Sequence, residues 1–386
     1  MAEADMTAIE GLVGDCAAVA DRTVERLRRY VEAESPSGEE TLVRRLVEQV
    51  AADLAAAGAI GVRRLEVPGY GEHVVAEVPG VIEDRYLLVL GHLDTVHPAG
   101  TLAVQPFRVE AGRVEGPGTY DMKGSVAVLV SALEVIRDRR LRPKHSIRVL
   151  LTCDEEVGSH SGRVWIEKFA PNAVAALVLE PSLRNGGVKT SRKGVDTYRI
   201  RVIGQAAHAG MDPGSGVSAI AELAHQITAI LDLADPARGT TVNVGTIEGG
   251  TATNVVAAEA VAYVDARFWT QAEADRIHAA LLGLSPKLPG ARLEVERTES
   301  RPPLERTERV VRLYERARAI GLELGVELPE GGTGGGSDGC FTAALGVPTL
   351  DGLGPLGWGA HAADEHIIYD DLPFRVALLT RLLTEL

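Results

Sequence analysis

Through the first 190 residues, strand-like aliphatic runs alternate with segments of helical period, a pattern that a mostly parallel sheet with helices on its faces satisfies. HVVAEVP (73–79), RYLLVLGH (85–92), SIRVLLTCDEE (146–156) and AALVLEP (175–181) read as strands. MKGSVAVLVSALEVIRDRR (122–140) reads as a mostly buried helix. SPSGEETLVRRLVEQVAADLAAAGA (35–59) reads as a second helix, with Ser37 as its cap, Glu40 three residues on and Gly58 as terminator. Aromatic residues make up 4% of the chain against 45% hydrophobic, so the core is expected to be aliphatic, which suits a parallel sheet.

The pattern changes near residue 190. VDTYRIRVIG (195–204), VSAIAELAHQITAILDLA (217–234), TVNVGTIEG (241–249), NVVAAEAVAYVDARFW (254–269), QAEADRIHAALLGL (271–284) and RLEVERTES (292–300) read as strand, helix, strand, strand, helix, strand. That is the order of a ferredoxin-like unit. Beyond it come an amphipathic helix, LERTERVVRLYERARAIGLELG (304–325), a glycine-rich loop at 330–339, a short strand GVPTL (346–350) and a closing segment, 359–383. The expected architecture is an α/β catalytic domain formed by residues 1–190 and 301–386, interrupted by an inserted α+β domain at 191–300. A length of 386 residues suits two domains.

A formal charge of −14 disfavours non-specific binding to nucleic acid or anionic lipid. The start, MAEADMTAIE, lacks the basic and apolar pattern of a secretory leader, and no apolar stretch reaches spanning length, so a soluble cytoplasmic protein is expected. Cys16, Cys153 and Cys340 are far apart and suit a reducing compartment.

In open parallel sheets, ligands gather beyond the carboxyl ends of strands. Polar residues stand at those ends here: His92 and Asp94 after LLVLG, Asp154, Glu155 and Glu156 after RVLLTC, Glu180 after ALVL, and His361 after the last strand and a glycine-rich turn. Asp121 lies in GPGTYDMKG, before a helix. Imidazoles and carboxylates crowded at one edge repel one another unless a cation joins them. Nitrogen and oxygen donors without thiolate suit catalytic Zn²⁺, with Mn²⁺ or Co²⁺ as substitutes, and two ions roughly 3.5 to 4 Å apart need a bridging carboxylate. Asp121, flanked by Gly116, Gly118 and Gly124, is the natural bridge. Residues two apart on a strand share a face, so His92 can ligate while Asp94 orients its ring. His97, close to Pro98, reads as a surface or structural histidine, and Cys153 as a small buried hydrophobe.

Seven motifs then point one way: GHLDTV (91–96), GPGTYDMKGS (116–125), TCDEEVGS (152–159), LEPS (179–182), AAHAG (206–210), GGGSDGCFTAALGVPTLDGLGP (334–355) and GAHAADEHI (359–367). Their order resembles the M20 family of metallopeptidases and deacylases over essentially the whole chain, and within it the bacterial glutamate carboxypeptidases of the G2 type. The resemblance implies two Zn²⁺ ions per subunit, His92 and Glu180 on one, Glu156 and His361 on the other, with Asp121 bridging. It implies Glu155 as general base, a choice that adjacency to Glu156 leaves open, and keeps Asp94 beneath His92. It also implies a cis bond between Asp121 and Met122. His208 would contact the substrate across a homodimer, supported by Asn254. Arg267 would clamp a free substrate carboxylate, aided by backbone donors at Gly335, Gly336 and Ser337. Spacing alone reads His208 as a solvated loop residue and Arg267 as a strand-face arginine paired with Asp265. Ser125 departs from the glycine common in relatives, with an expected effect on packing alone. Gly336 stands where some desuccinylases carry threonine.

The implied activity is hydrolysis of an amide next to a free carboxylate, in a carboxypeptidase releasing C-terminal glutamate or a similar amino acid. The alternatives are an N-acyl amino acid deacylase of the acetylornithine or succinyl-diaminopimelate type, and a non-catalytic scaffold. A glycosidase built on Glu155 and Glu180 would leave both histidines unexplained.

Overall fold

The computed structural model describes residues 3–386, with side chains from Glu10 onward, so Met1 and Ala2 of the N-terminal segment lie outside the described residues. The chain forms two compact units. The first comprises Met1–Thr190, Arg306–Gly332 and Ser337–Leu386. Its elements begin with helices α1 (Glu3–Ala18), α2 (Ala20–Glu32) and α3 (Glu40–Ala56), followed by strands β1 (Ile60–Val67), β2 (Gly71–Val78), β3 (Ile82–His92), β4 (Arg108–Glu110) and β5 (Arg113–Glu115). Next come α4 (Gly124–Asp138), β6 (His145–Thr152), α5 (Gly162–Phe169), β7 (Ala173–Val178) and β8 (Val188–Arg192). The second unit, Ser191–Glu305 with Thr333–Gly336, contains β9 (Gly194–Ile203), α6 (Ala219–Leu231), β10 (Thr241–Gly249), β11 (Glu259–Phe268), α7 (Gln271–Leu282) and β12 (Arg292–Arg301). The chain then adds α8 (Glu308–Glu323), β13 (Glu330–Thr333), α9 (Gly339–Ala344), β14 (Thr349–Leu350), β15 (Gly357–Trp358), β16 (His366–Ile368) and α10 (Leu372–Glu385).

The main sheet of the first unit has the order β1-β2-β6-β3-β7-β14. β3 runs parallel to both β6 and β7, and β14 parallel to β7, while β1 and β2 form an antiparallel edge. Alternate residues of β3 feed different cores: Leu87 and Val89 join the cluster that includes Val126 and Val130 of α4, whereas Leu88 and Leu90 join Ile166 and Phe169. Both faces are therefore covered, as a parallel sheet requires. α4 buries nearly its whole circumference, which explains a sequence that is apolar all round. Ser125, near its start, is buried with its hydroxyl unpartnered among the described residues.

Two features depart from the sequence reading. Ser37 does not cap α3, whose N-cap is Glu39 without a side-chain bond; the Ser37 hydroxyl instead donates to the Asp94 carboxylate at 2.7 Å. Gly58 does end that helix, in the left-handed region at φ +101°. The second feature is a separate antiparallel sheet, β15-β16-β5-β4, in which β16 pairs with β5. His361 lies in the β15–β16 connection and so belongs to this small sheet, not to the end of a main-sheet strand. Strands of two or three residues are too short to show a period, so the sequence pattern passes over them.

In the second unit all strand pairs are antiparallel, in the order β10-β11-β9-β12. With α6 and α7 this is the ferredoxin-like arrangement. Tyr198, Ile200 and Val202 of β9 pack with Leu223, Ile230, Ile277 and Leu281. Each helix starts with a capping hydroxyl, Ser218 accepting from Ala221 N and Thr270 from Glu273 N. The glycine run at 333–336 groups here because it is hydrogen-bonded: Lys193 N donates to Thr333 O at 3.0 Å, and Arg192 Nη1 to Gly336 O at 2.9 Å. Among the described residues no helix is long and apolar enough to cross a membrane.

Candidate metal centre

β6, β3 and β7 are neighbours running in one direction, so their carboxyl ends share an edge. His92 is the last residue of β3, Glu155 and Glu156 open a short turn after β6, and Glu180 follows β7. The small sheet supplies the rest: Asp121 from the loop between β5 and α4, and His361 from the β15–β16 loop, its backbone in the left-handed region at φ +65°.

These residues form two groups that share Asp121: His92, Asp121 and Glu180, then Asp121, Glu156 and His361. His92 Nε2 lies 3.1 Å from Asp121 Oδ1 and 3.7 Å from Glu180 Oε1. His361 Nε2 lies 3.5 Å from Asp121 Oδ2 and 3.2 Å from Glu156 Oε2. Donors bonded to one tetrahedral zinc at about 2.0–2.1 Å stand roughly 3.3 Å apart, so both groups have the spacing that such an ion needs. Three protein donors per ion leave a coordination position open, as in catalytic zinc sites. Glu156 Oε1 is buried without a hydrogen-bond partner among the described residues, a carboxylate oxygen left for a cation.

The electrostatics agree. Burial by itself would lower the His92 pKa, yet its hydrogen bond with Asp121 and the nearby Asp94 and Glu156 charges hold it well above the usual histidine range. Hydrogen bonds to Asp121 and Glu156 push His361 up to about 10. Burial would raise Asp121, but bonds from His361 and His92 outweigh it and hold the carboxyl well below the usual range. Positive charge is favoured between these groups, and divalent ions supply it. Burial pushes the Cys153 thiol up, which suits the expected buried hydrophobe.

Supporting contacts fix the donors. The Asp94 carbonyl accepts from His92 Nδ1 at 2.9 Å, and a carbonyl can only accept, so Nδ1 keeps its hydrogen and Nε2, which without an ion shares a proton with Asp121, is the nitrogen that would turn its lone pair to a cation. The Asp94 carboxylate, 3.6 Å from that ring, instead accepts from Glu155 N and Glu156 N, each at 3.2 Å, and from Ser37 Oγ. Asp94 thus orients His92 through its main chain and the Glu155–Glu156 turn through its side chain. The Asp121–Met122 peptide is cis.

Three contributors have roles that the sequence reading did not assign them. Glu365 accepts from the main chain of the Asp121 loop and from His97, whose ring is thereby held in a structural role. Asp154 accepts from Ser161 N at 2.6 Å and closes the turn after Glu156. Ser37 supports Asp94. Glu365 sits in GAHAADEHI, but a lone acid in a loop carries no periodic signal.

The remaining predicted residues, Ser337 apart, lie on the second unit. His208 Nδ1 accepts from Gly210 N and Met211 N, both at 3.1 Å, so Nε2 carries the hydrogen and is a donor. Asn254 O accepts from Ala209 N at 2.9 Å, and His208 bridges Val255, which joins the two loops. Arg267 is paired with Asp265, Nε at 3.0 Å and Nη2 at 3.2 Å, and its Nη1 donates to Gly334 O. The Gly335 and Gly336 carbonyls both accept from Arg192. Ser337, in the first unit, gives its hydroxyl to Asp351 at 2.6 Å.

A model of peptidase family M20/M25/M40 matches residues 88–385. The chain is 31% identical over 321 residues to carboxypeptidase G2 of Pseudomonas sp. (strain RS-16), covering 82% of this chain and 77% of that protein. It is 32% identical over 333 residues to a succinyl-diaminopimelate desuccinylase of Thioalkalivibrio sulfidiphilus (strain HL-EbGR7), covering 78% and 85%. Among solved structures, aminopeptidase PepT from Bacillus cereus ATCC 10987 matches with a TM-score of 0.76 at 22% identity, covering 95% of this chain and 98% of that one.

Proposed function

The chain belongs to peptidase family M20/M25/M40 and is a metal-dependent hydrolase, and from that premise we propose a dinuclear zinc carboxypeptidase that releases C-terminal glutamate or a similar amino acid. The observation that carries this is the pair of donor groups sharing Asp121. Two divalent ions held there would lower the pKa of water and polarise the scissile carbonyl, with Co²⁺ or Mn²⁺ able to substitute for Zn²⁺.

The chain's own residues do the rest. Glu155 takes a proton from the attacking water as its oxygen bonds to the amide carbon, then returns it to the leaving nitrogen as the C–N bond breaks, giving a carboxylic acid and an amine. Asp94 keeps that glutamate in place by accepting from its N–H. His208, with Nε2 as donor, is the proposed partner of the developing oxyanion within a homodimer, with Asn254 shaping its loop. Arg267 is the proposed clamp for the substrate carboxylate. Its bond to Asp265 leaves guanidinium hydrogens over, and the fixed fork is then pre-oriented. Gly336 lies in the segment against which Arg267 and Arg192 are held. Three buried cysteines fit a cytoplasmic setting.

The desuccinylase relative favours a second reading, an N-acyl amino acid deacylase. Turnover of folate-like and dipeptide substrates with C-terminal glutamate, against N-acetylornithine and N-succinyl-diaminopimelate, separates the two. Faster cleavage of the acyl amino acids would overturn the carboxypeptidase assignment. In the same panel, Arg267→Ala is expected to raise KM for the preferred carboxylate substrate about 10- to 100-fold, the worth of a charged hydrogen-bonded pair. Fewer than one ion per purified chain, with no activity on adding zinc or cobalt, would favour a scaffold instead.

A further inference from the structure

We infer that Glu365 is a positioning residue for the metal centre, holding the backbone of the bridging Asp121 and tying it to the loop that carries His361. The inference rests on the dinuclear reading above. Glu365 is 2% exposed, and each carboxylate oxygen takes two donors. Oε1 accepts from Tyr120 N at 2.8 Å and Asp121 N at 2.9 Å; Oε2 accepts from Gly118 N at 2.8 Å and His97 Nε2 at 2.6 Å. A carboxylate oxygen has about two acceptor sites, so the group is saturated. Gly116 N adds a bond to the Glu365 carbonyl at 3.2 Å.

The loop is shaped for such an anion. Gly118 has φ +73°, and a Cβ there would stand 2.8 Å from Thr95 Cγ2, so its conformation and its close approach both call for glycine. The N–H groups of residues 118, 120 and 121 converge in a concave nest that favours negative charge. Without Glu365 these donors would be buried and unpaired.

The placement predicts a selective effect on the two ions. His92 and Glu180 stand on β3 and after β7, whose pairing does not involve Glu365. Asp121 and His361 stand on the two loops that Glu365 joins, and with Glu156 they make the second donor group. Loss of the strut should therefore weaken the ion of the Asp121–Glu156–His361 group most. Supporting partners of metal ligands are worth about 10- to 100-fold in affinity.

Cobalt titration followed by calorimetry and visible absorption tests this in the intact protein. The wild type is expected to take up two Co²⁺ per chain. Glu365→Gln, which turns amide hydrogens toward Gly118 N–H or His97, is expected to bind the first ion within about 3-fold of wild type. Its second ion is expected to bind about 10- to 100-fold more weakly, with a changed visible band. Glu222→Gln is the control for loss of a buried carboxylate: Glu222 is 0% exposed and accepts from Lys287 N and Leu288 N in the second unit, and both ions should bind that variant as they bind wild type. His97→Ala, which removes one of the four donors, is expected to weaken the second ion by a smaller factor and decides the question alone if Glu365→Gln does not fold. Second-ion affinity and spectrum unchanged in Glu365→Gln, or weakened equally in Glu222→Gln, would overturn the inference while leaving the dinuclear reading intact. A wild-type stoichiometry below two would remove both, and is read before any variant is made.

Discussion

His73 is fully buried beneath the turn that carries Glu155 and Glu156, and its hydrogen bonds fix its ring. Nδ1 accepts from Cys153 N at 3.1 Å, so Nε2 bears the hydrogen and donates to Ser161 Oγ at 3.0 Å. A serine that accepts from a histidine is not activated by it, which removes an apparent Ser–His nucleophile from consideration. Burial lowers the His73 pKa from 6.5 to about 4, with Asp338 opposing. As pH falls through 6.5 the unfolded chain takes up a proton that the folded chain refuses until about pH 4, so stability should fall across that window by up to about 3 kcal/mol. Urea midpoints measured from pH 7 to pH 4 should show this slope in wild type and a flatter one in His73→Gln; equal slopes would refute it. At this scale the candidate donors His92, Glu156 and Glu180 were legible as polar residues beyond apolar runs, and Asp121 and His361 through the glycine-rich segments beside them. Glu365, Ser37 and His73 were not, since each acts through partners far away in sequence.

Among the elements, α4 shows how tightly the Asp121 loop is built into the fold. Gly124 begins the helix, and a Cβ there would collide with Thr119 O, in the loop leading to Asp121. A backbone atom cannot swing aside as a side chain can. Gly124→Ala should therefore cost about 1–3 kcal/mol, as overpacking does, and also lower metal occupancy. Thermal melting of the apo and cobalt-loaded forms checks it, and a variant as stable and as well loaded as wild type would contradict the account. The long elements were readable in the sequence: β3, β6, β7, α3, α4 and the six elements of the second unit declare their period. α2 is arginine-rich, and its apolar stripe of Val24, Leu27, Tyr30 and Val31 is hard to see among the charges. The small sheet is hidden for a different reason, because β4, β5, β15 and β16 have almost no length over which to alternate.

At the scale of the whole molecule, metal and stability are linked, because ions that bind the folded chain alone stabilise it by mass action. Chelation should lower the melting temperature. Returning Zn²⁺ or Co²⁺ at 100 times its Kd should recover about 2.7 kcal/mol per ion. A melting temperature indifferent to both treatments would argue that these acids and imidazoles manage without a cation. The sequence by itself determined the alternation that yields a covered parallel sheet and the ferredoxin-like order of the middle segment, because those depend on local period, and it offered the candidate donors, whose division into roles came from the family resemblance. Tertiary structure alone decided that Asp121 and His361 arrive from a second, smaller sheet, that Asp94 supports its neighbours by two separate groups, and that Glu365 holds the bridging loop. Those facts are meetings of atoms that only the folded chain brings together, as in the bond that Asp121 N donates to Glu365 at a separation of 244.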